Sequence, residues 1–161
     1  MQESTLYVSD NQIRNPQSFG CAQDRYAIRT MVVGADLVEI GRIEQMVKRY
    51  GDRFTGRVFT GQELADCGGR MASLAARWAA KEAVAKALGT GIGPVAFDEI
   101  EVVAGAVRRP ELRLHGRAAE LARELGLSLW AISLTHDGGL ALAFVTALGT
   151  DGDTTRRSDD A

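Results

Sequence analysis

The chain is poor in the residues that staple or interrupt small secreted proteins, with two cysteines and three prolines in 161 residues. Cys21 and Cys67 stand far apart and neither has a partner at a metal-ligand spacing, so neither a disulfide framework nor a zinc ribbon is expected. Two ordinary thiols in a reducing, cytoplasmic setting is the reading that fits. No apolar run approaches the roughly 18–20 residues needed to cross a bilayer. The first thirty residues also lack the basic start and apolar stretch of a secretory signal. Net charge is nearly absent: 19 basic against 21 acidic side chains leave a formal −2, which argues against bulk nucleic-acid binding. What remains, 45% hydrophobic and 25% charged, is the composition of a soluble globular domain. The length suits one such domain with a real core. Function must come from local sites.

Residues 1–30 are polar and aperiodic and read as a flexible N-terminal extension, with Met31 as a candidate start of the folded unit. Residues 150–161 carry Asp151, Asp153, Asp159 and Asp160 and read as a disordered polar tail. The folded unit is expected over 31–149. Within it, Met31–Ala35 is a strand candidate, and Ile40, Ile43, Val47 and Tyr50 follow at helical spacing. Thr60 and Glu63 form a T-x-x-E capping box, with Phe59 and Leu64 placed as a hydrophobic staple. An Ala-rich helix is expected from about Met71 to Leu88, stopped by Gly89 and kept from resuming by Gly91, Gly93 and Pro94. Strands are expected at Ile100–Ala104 and Glu111–His115 around a turn at Arg108, Arg109 and Pro110, then a short helix at Arg117–Leu125. Leu129–Thr135 and Leu140–Thr146 should form a hairpin whose four-to-five-residue connection includes His136, Asp137, Gly138 and Gly139. Helices early and antiparallel strands late imply an α+β fold.

Glu82 is the informative residue. At 100° per residue, Met71, Leu74, Ala75, Trp78, Ala85 and Gly89 share one face of the long helix, and Glu82 projects into it. Lys86 follows one turn later on the same side, while Lys81 lies to the flank. An unpaired carboxylate on a packed face is costly. It is either locked in an ion pair, to Lys86 or to an arginine elsewhere, or it ligates a cation beside a lysine aimed at a bound phosphate. Asp36 is the natural second ligand. With Glu39 it also forms a D-x-x-E pattern that could cap the first helix, and the two roles can coexist.

Three stretches carry a resemblance. Gly34-Ala35-Asp36 through to Arg42 resembles the G-x-D-(x)5-R signature of holo-acyl-carrier-protein synthases. Trp78-Ala79-Ala80-Lys81-Glu82-Ala83-Val84-Ala85-Lys86-Ala87, followed by Gly89-Thr90-Gly91, resembles their W/F-x-x-K-E-A-x-x-K-A signature and G-T-G. Ser133-Leu134-Thr135-His136 is similar to their S-I-S/T-H segment. Arg57–Thr60 with Glu63, and Leu114–Ala118, also fit. The resemblance covers about residues 31–147, and the K-E-A segment is its most specific part.

This likeness implies a compact 4′-phosphopantetheinyl transferase-like fold, with a small antiparallel sheet packed against a long central helix. It also implies a reaction in which a carrier-protein serine attacks the β-phosphate of coenzyme A and adenosine 3′,5′-bisphosphate leaves. By matching position, Asp36 and Glu82 become Mg²⁺ ligands, and two carboxylates with substrate oxygens and waters suit that ion. Lys86 becomes the lysine near the diphosphate, with Lys81 as a second candidate. By the same likeness His136 is placed near a nucleotide phosphate, with hydroxyl contacts from Ser133 and Thr135, and the Gly89-Thr90-Gly91 loop is expected to lie against the nucleotide through its backbone. The residues leave open whether a metal-bound water or Glu82 acts as general base. Arg42, Arg49 and Arg53 fall in a basic segment that, by the same likeness, docks an acidic apo acyl carrier protein. A homotrimer with sites between subunits is implied in the same way. A non-catalytic carrier- or nucleotide-binding module, and a transferase serving polyketide carriers, are the alternatives. Asp137 departs from the Thr that many relatives have after this histidine.

Overall fold

The structure, a computed structural model, describes residues 28–105 and 109–150. The expectations for the rest of the N-terminal extension, for Cys21, Arg108 and the residues after 150 lie outside these. Among the described residues five strands and five helices follow in the order β1 (Ile28–Glu39), α1 (Ile40–Tyr50), α2 (Asp52–Val58), α3 (Gly61–Cys67), α4 (Met71–Ala87), β2 (Ile100–Ala104), β3 (Pro110–Leu114), α5 (Gly116–Glu124), β4 (Leu129–Asp137) and β5 (Leu140–Thr150), with a short 3-10 turn at Phe97–Glu99. The first strand pairs with the last. β1, β5 and β4 form a three-stranded antiparallel sheet in that spatial order, and β2 with β3 makes a separate hairpin. This is the expected α+β architecture.

Small residues set how closely helix and sheet approach. Ala141, Ala143, Val145 and Ala147 point inward from β5 and are fully buried. They meet a helix whose Ala75, Ala79, Ala80, Ala83 and Ala85 are equally buried. At Gly34 the contact is tightest. A β-carbon there would overlap the Ala83 carbonyl oxygen and stand 3.1 Å from the Ala87 backbone nitrogen. Gly34 is therefore required by space, so that β1 can lie on the C-terminal half of α4.

Several local readings hold. Thr60 Oγ1 accepts from Glu63 N at 3.2 Å and Glu63 Oε2 accepts from Thr60 N at 2.9 Å, completing the capping box. The long helix ends at Ala87, with the chain turning through Gly89 at φ 77°.

Others are corrected. β1 spans Ile28–Glu39 and so extends beyond the strand expected at Met31–Ala35 at both ends. It also runs on through Asp36, which pairs with Ala143, so Asp36 does not cap α1. The residue preceding α1 is Glu39, which makes no side-chain cap. β4 and β5 close through Gly138 and Gly139 alone, at φ 55° and 80°. Two positive φ values give a two-residue turn that matches strand twist, so His136 and Asp137 belong to the strand rather than to a longer loop.

Replacing Gly34 by Ala should cost roughly 3 kcal/mol, because neither backbone can retreat from the overlap. Urea denaturation checks this; a midpoint like that of the parent protein would show that the seam can open cheaply.

Candidate active site

Position along β1 decides which side chains face α4. Val32, Gly34, Asp36 and Val38 alternate onto the helix side, and α4 brings Glu82 and Lys86 to the same place. Lys86 Nζ lies 2.7 Å from Asp36 Oδ1 and 3.2 Å from the Ala35 carbonyl oxygen. Asp36, Glu82 and Lys86 are thus brought together from strand and helix. The first two expected partners of Glu82 are not found: among the described residues its carboxylate makes no hydrogen bond and no ion pair within 4.0 Å. Its acidity is nonetheless perturbed. Burial raises its pKa, the Asp36 charge raises it further, and Lys86 and Arg42 act in the opposite direction. Two carboxylates that repel each other, one lacking a direct partner, make a place for a cation. Among the described residues no group of three or more His, Cys, Asp and Glu side chains is arranged to hold a metal. A cation here would draw two ligands from the protein and the rest from substrate and water, as Mg²⁺ commonly does. The donors fit that ion.

The helix face differs from the sequence reading. Glu82 is half-buried at the edge of the packed surface, and the charged residue at its centre is Lys81. Alanine carried little weight in the pattern, yet the alanines define the buried side. Lys81 has no exposed side-chain surface. It lies 2.8 Å from the equally buried Glu63 Oε2 and donates to the carbonyls of Phe97, at 2.9 Å, and Ile100. Burial pulls its pKa below the usual lysine range, against the raising influence of Glu63. With its three donors used and no path to solvent, Lys81 cannot reach a phosphate. The expectation that it binds the co-substrate is corrected: it ties α4 to α3 and to the segment entering β2. Glu63 is satisfied in turn, accepting also from Thr60 N and, at 2.9 Å, from Val102 N.

The glycine loop is likewise occupied with itself. Gly89 N donates to the Lys86 carbonyl, and Thr90 N and Gly91 N both donate to the Ala85 carbonyl. Thr90 Oγ1 bonds to the Gly91 carbonyl at 2.9 Å. These groups satisfy the helix end, so the loop as folded offers no array of N–H donors to a phosphate. Lys86 supplies positive charge at a terminus whose dipole alone would repel an anion.

Ser133, Thr135 and His136 do not form one cluster. His136 is on the α4 side of the sheet, whereas Ser133 and Thr135 pair with Phe144 and Leu142 and face the opposite way. Asp36 is two strands from His136, about 10 Å at ordinary strand spacing. Within one chain, His136 stands apart from the carboxylates.

Arg42, Arg49 and Arg53 are exposed. Seven residues apart, Arg42 and Arg49 share a face of α1 with Met46 between them. Arg49 lies over the Tyr50 ring at 5.2 Å. Beside them opens a cleft of about 790 Å³ lined by Met46, Tyr50, Arg53, Phe54, Trp78 and Phe97 among others. Its aromatic wall stacks Phe54 on Trp78 at 5.7 Å and Trp78 on Phe97 at 4.5 Å. The sequence reading missed this cleft. Trp78 reads from the sequence as a member of the packed helix face, and nothing local in the sequence links it to Phe54 and Phe97.

Known proteins place this arrangement. The sequence model of the 4′-phosphopantetheinyl transferase superfamily matches residues 32–145. A holo-[acyl-carrier-protein] synthase of Herpetosiphon aurantiacus is 50% identical over 126 residues, 74% of this chain and 99% of that one. One from Chloroflexus aurantiacus is 52% identical over 130 residues, 71% and 95% of the two chains. The Helicobacter pylori holo-[acyl-carrier-protein] synthase in complex with coenzyme A superposes with a TM-score of 0.66 at 33% identity, covering 71% of this chain and 98% of that one. The chain belongs to the 4′-phosphopantetheinyl transferase superfamily. Its activity is that of the holo-[acyl-carrier-protein] synthases: it transfers the phosphopantetheine arm of coenzyme A to an acyl carrier protein, a step of fatty-acid biosynthesis. No helix among the described residues is long and apolar enough to cross a membrane.

Removing one half of the buried pair separates its role from that of the site. Lys81→Met should destabilise the fold by about 3–5 kcal/mol, because Glu63 is left charged and enclosed, whereas Lys81→Met with Glu63→Leu should recover most of the loss. Thermal and urea unfolding of both variants check this; equal destabilisation of the two would contradict it.

Proposed function

We propose that Asp36 and Glu82 hold the Mg²⁺ on which the transfer depends, with Lys86 serving the diphosphate of coenzyme A. The observation that carries this is that β1 and α4 bring two like-charged carboxylates near each other beside the Gly34 seam, with Glu82 lacking any direct counter-charge. When bound, the ion supplies charge neutralisation at the phosphates. The chain's own residues do the rest. β1 and α4 fix both carboxylates on rigid elements, and the Lys86 ammonium stands beside them to draw in the diphosphate. The serine hydroxyl of the carrier gives its proton to a base as its oxygen forms a bond to the β-phosphorus, the bond from that phosphorus to the bridging oxygen breaks, and adenosine 3′,5′-bisphosphate leaves. Positioning and electrostatics of this kind account for most of the catalysis in phosphoryl transfer.

The carrier protein docks along α1 and α2. Arg42, Arg49 and Arg53 supply charge for an acidic partner, and Met46 and Tyr50 place apolar surface among them, which a merely solvated face would not have. The protein works as a homotrimer. Support comes from the outer face of the sheet, where Met31, Val33, Leu37, Leu129, Leu142 and Phe144 are exposed side by side, more apolar surface than a monomer ordinarily leaves in water. A neighbouring copy brings its own His136 toward the carboxylates, which the same chain's His136 does not approach. Coenzyme A and carrier protein as substrates support a cytoplasmic location.

Glu82→Gln should lower kcat by a factor of about a thousand while the far-ultraviolet spectrum and Tm stay those of the parent. The assay is the intact-mass gain of an apo carrier incubated with coenzyme A and Mg²⁺; undiminished turnover would remove Glu82 from the site. Arg49→Glu should raise the KM for carrier protein roughly tenfold and leave that for coenzyme A unchanged, with the parent's carrier KM rising with salt. Arg49 is the better probe because the charge of Arg42 also reaches Glu82. Equal shifts in both KM values would contradict docking on α1.

A further inference from the structure

Lys86 is half exposed, yet its ammonium is committed to β1, touching Asp36 Oδ1 at 2.7 Å and the Ala35 carbonyl at 3.2 Å. The same ammonium that the metal-site reading assigns to the diphosphate is therefore within reach of Asp36. Neutralisation of the acidic pair is uneven: Asp36 has a direct partner and Glu82 has none. The ammonium thus occupies one oxygen of a carboxylate that a cation bridging both acids would also use. Like charges compete for such a position, and the competition is settled by what else each can bind.

We propose that Lys86 is an exchangeable counter-ion, which holds Asp36 in the substrate-free protein and releases it to a divalent cation when a diphosphate is present to receive the ammonium. This rests on the metal-site reading above. The exchange completes the pairing of charges: before it Lys86 holds Asp36 and Glu82 has no direct partner, and after it a dication would neutralise both carboxylates while the lysine meets phosphate. It needs little movement. The last turn of α4 is held by the bonds from Gly89, Thr90 and Gly91 to the Lys86 and Ala85 carbonyls, so the backbone stays fixed while the flexible stem swings through solvent. Its consequence is positive coupling. Without coenzyme A the lysine opposes the cation, and each ligand assists the other by the same factor. The protein would therefore hold little cation until its co-substrate is at hand.

The test is Mn²⁺ binding to the full chain without coenzyme A, read from the electron paramagnetic resonance signal of the free ion. Parent protein, Lys86→Met, Asp36→Asn and, as a surface control, Lys48→Met are compared. Lys86→Met should bind Mn²⁺ roughly five- to tenfold more tightly than the parent, Asp36→Asn should bind little, and Lys48→Met should match the parent. If Lys86→Met binds no more tightly while Asp36→Asn still abolishes binding, the exchange is overturned and the metal site stands. If Asp36→Asn leaves Mn²⁺ binding unchanged, the metal-site reading fails and the exchange fails with it.

Discussion

At Gly34 the backbone of β1 rests against the Ala83 carbonyl of α4 with no room for a methyl group, and the chemistry of the molecule is arranged around that contact. Two residues further along the strand the side chain again faces the helix, and there it is Asp36. One residue before Ala83 stands Glu82, and three after it Lys86. A larger residue at position 34 would push the strand outward and separate the Asp36 carboxylate from the Glu82 carboxylate and the Lys86 ammonium that α4 brings beside it. The small side chains of β5 and α4 extend the same close approach across the sheet, so the seam is a property of the whole interface rather than of one glycine.

The two lysines of the long helix, close in sequence, are separated by their angular positions. Five residues turn the helix by about 140° beyond a full circle. Lys86 therefore sits with Glu82 at the solvent-facing edge, while Lys81 enters the interior and meets Glu63. The buried pair does not touch the acidic pair, yet it holds the rotation of α4 through the Phe97 and Ile100 carbonyls. Phe97 also forms one end of the aromatic wall of the cleft beside α1. Stability and function are thus neighbours on one helix, divided by which side each residue occupies.

Much of this was legible in the sequence for physical reasons. The capping box at Thr60 and Glu63, the stop at Gly89 and the hairpin between β4 and β5 are local devices whose residue types act over a few positions. The grouping of Asp36, Glu82 and Lys86 was also legible, because its motif residues are specific. What was not legible depends on distant contacts. Alanine reads as neutral in a periodicity count, so the buried side of α4 was misplaced by part of a turn and Lys81 was put on the flank. The extension of β1 through Asp36 is imposed by pairing with β5, more than a hundred residues away in the chain, and it overrode a local capping pattern. The division of Ser133 and Thr135 from His136 follows from strand alternation once the two-residue turn is known. The cleft requires three aromatic residues from α2, α4 and the turn before β2, which no local pattern connects.

The central claim is that Asp36 and Glu82 share one divalent ion across the Gly34 seam. Its most direct test is a crystal structure with coenzyme A and Mn²⁺, using the anomalous signal of the metal. The account predicts a single peak at ordinary coordination distance, about 2.0–2.3 Å, from a carboxylate oxygen of each residue, with Lys86 turned from Asp36 to the diphosphate. A metal bound elsewhere, or Glu82 locked to an arginine with coenzyme A in place, would contradict it.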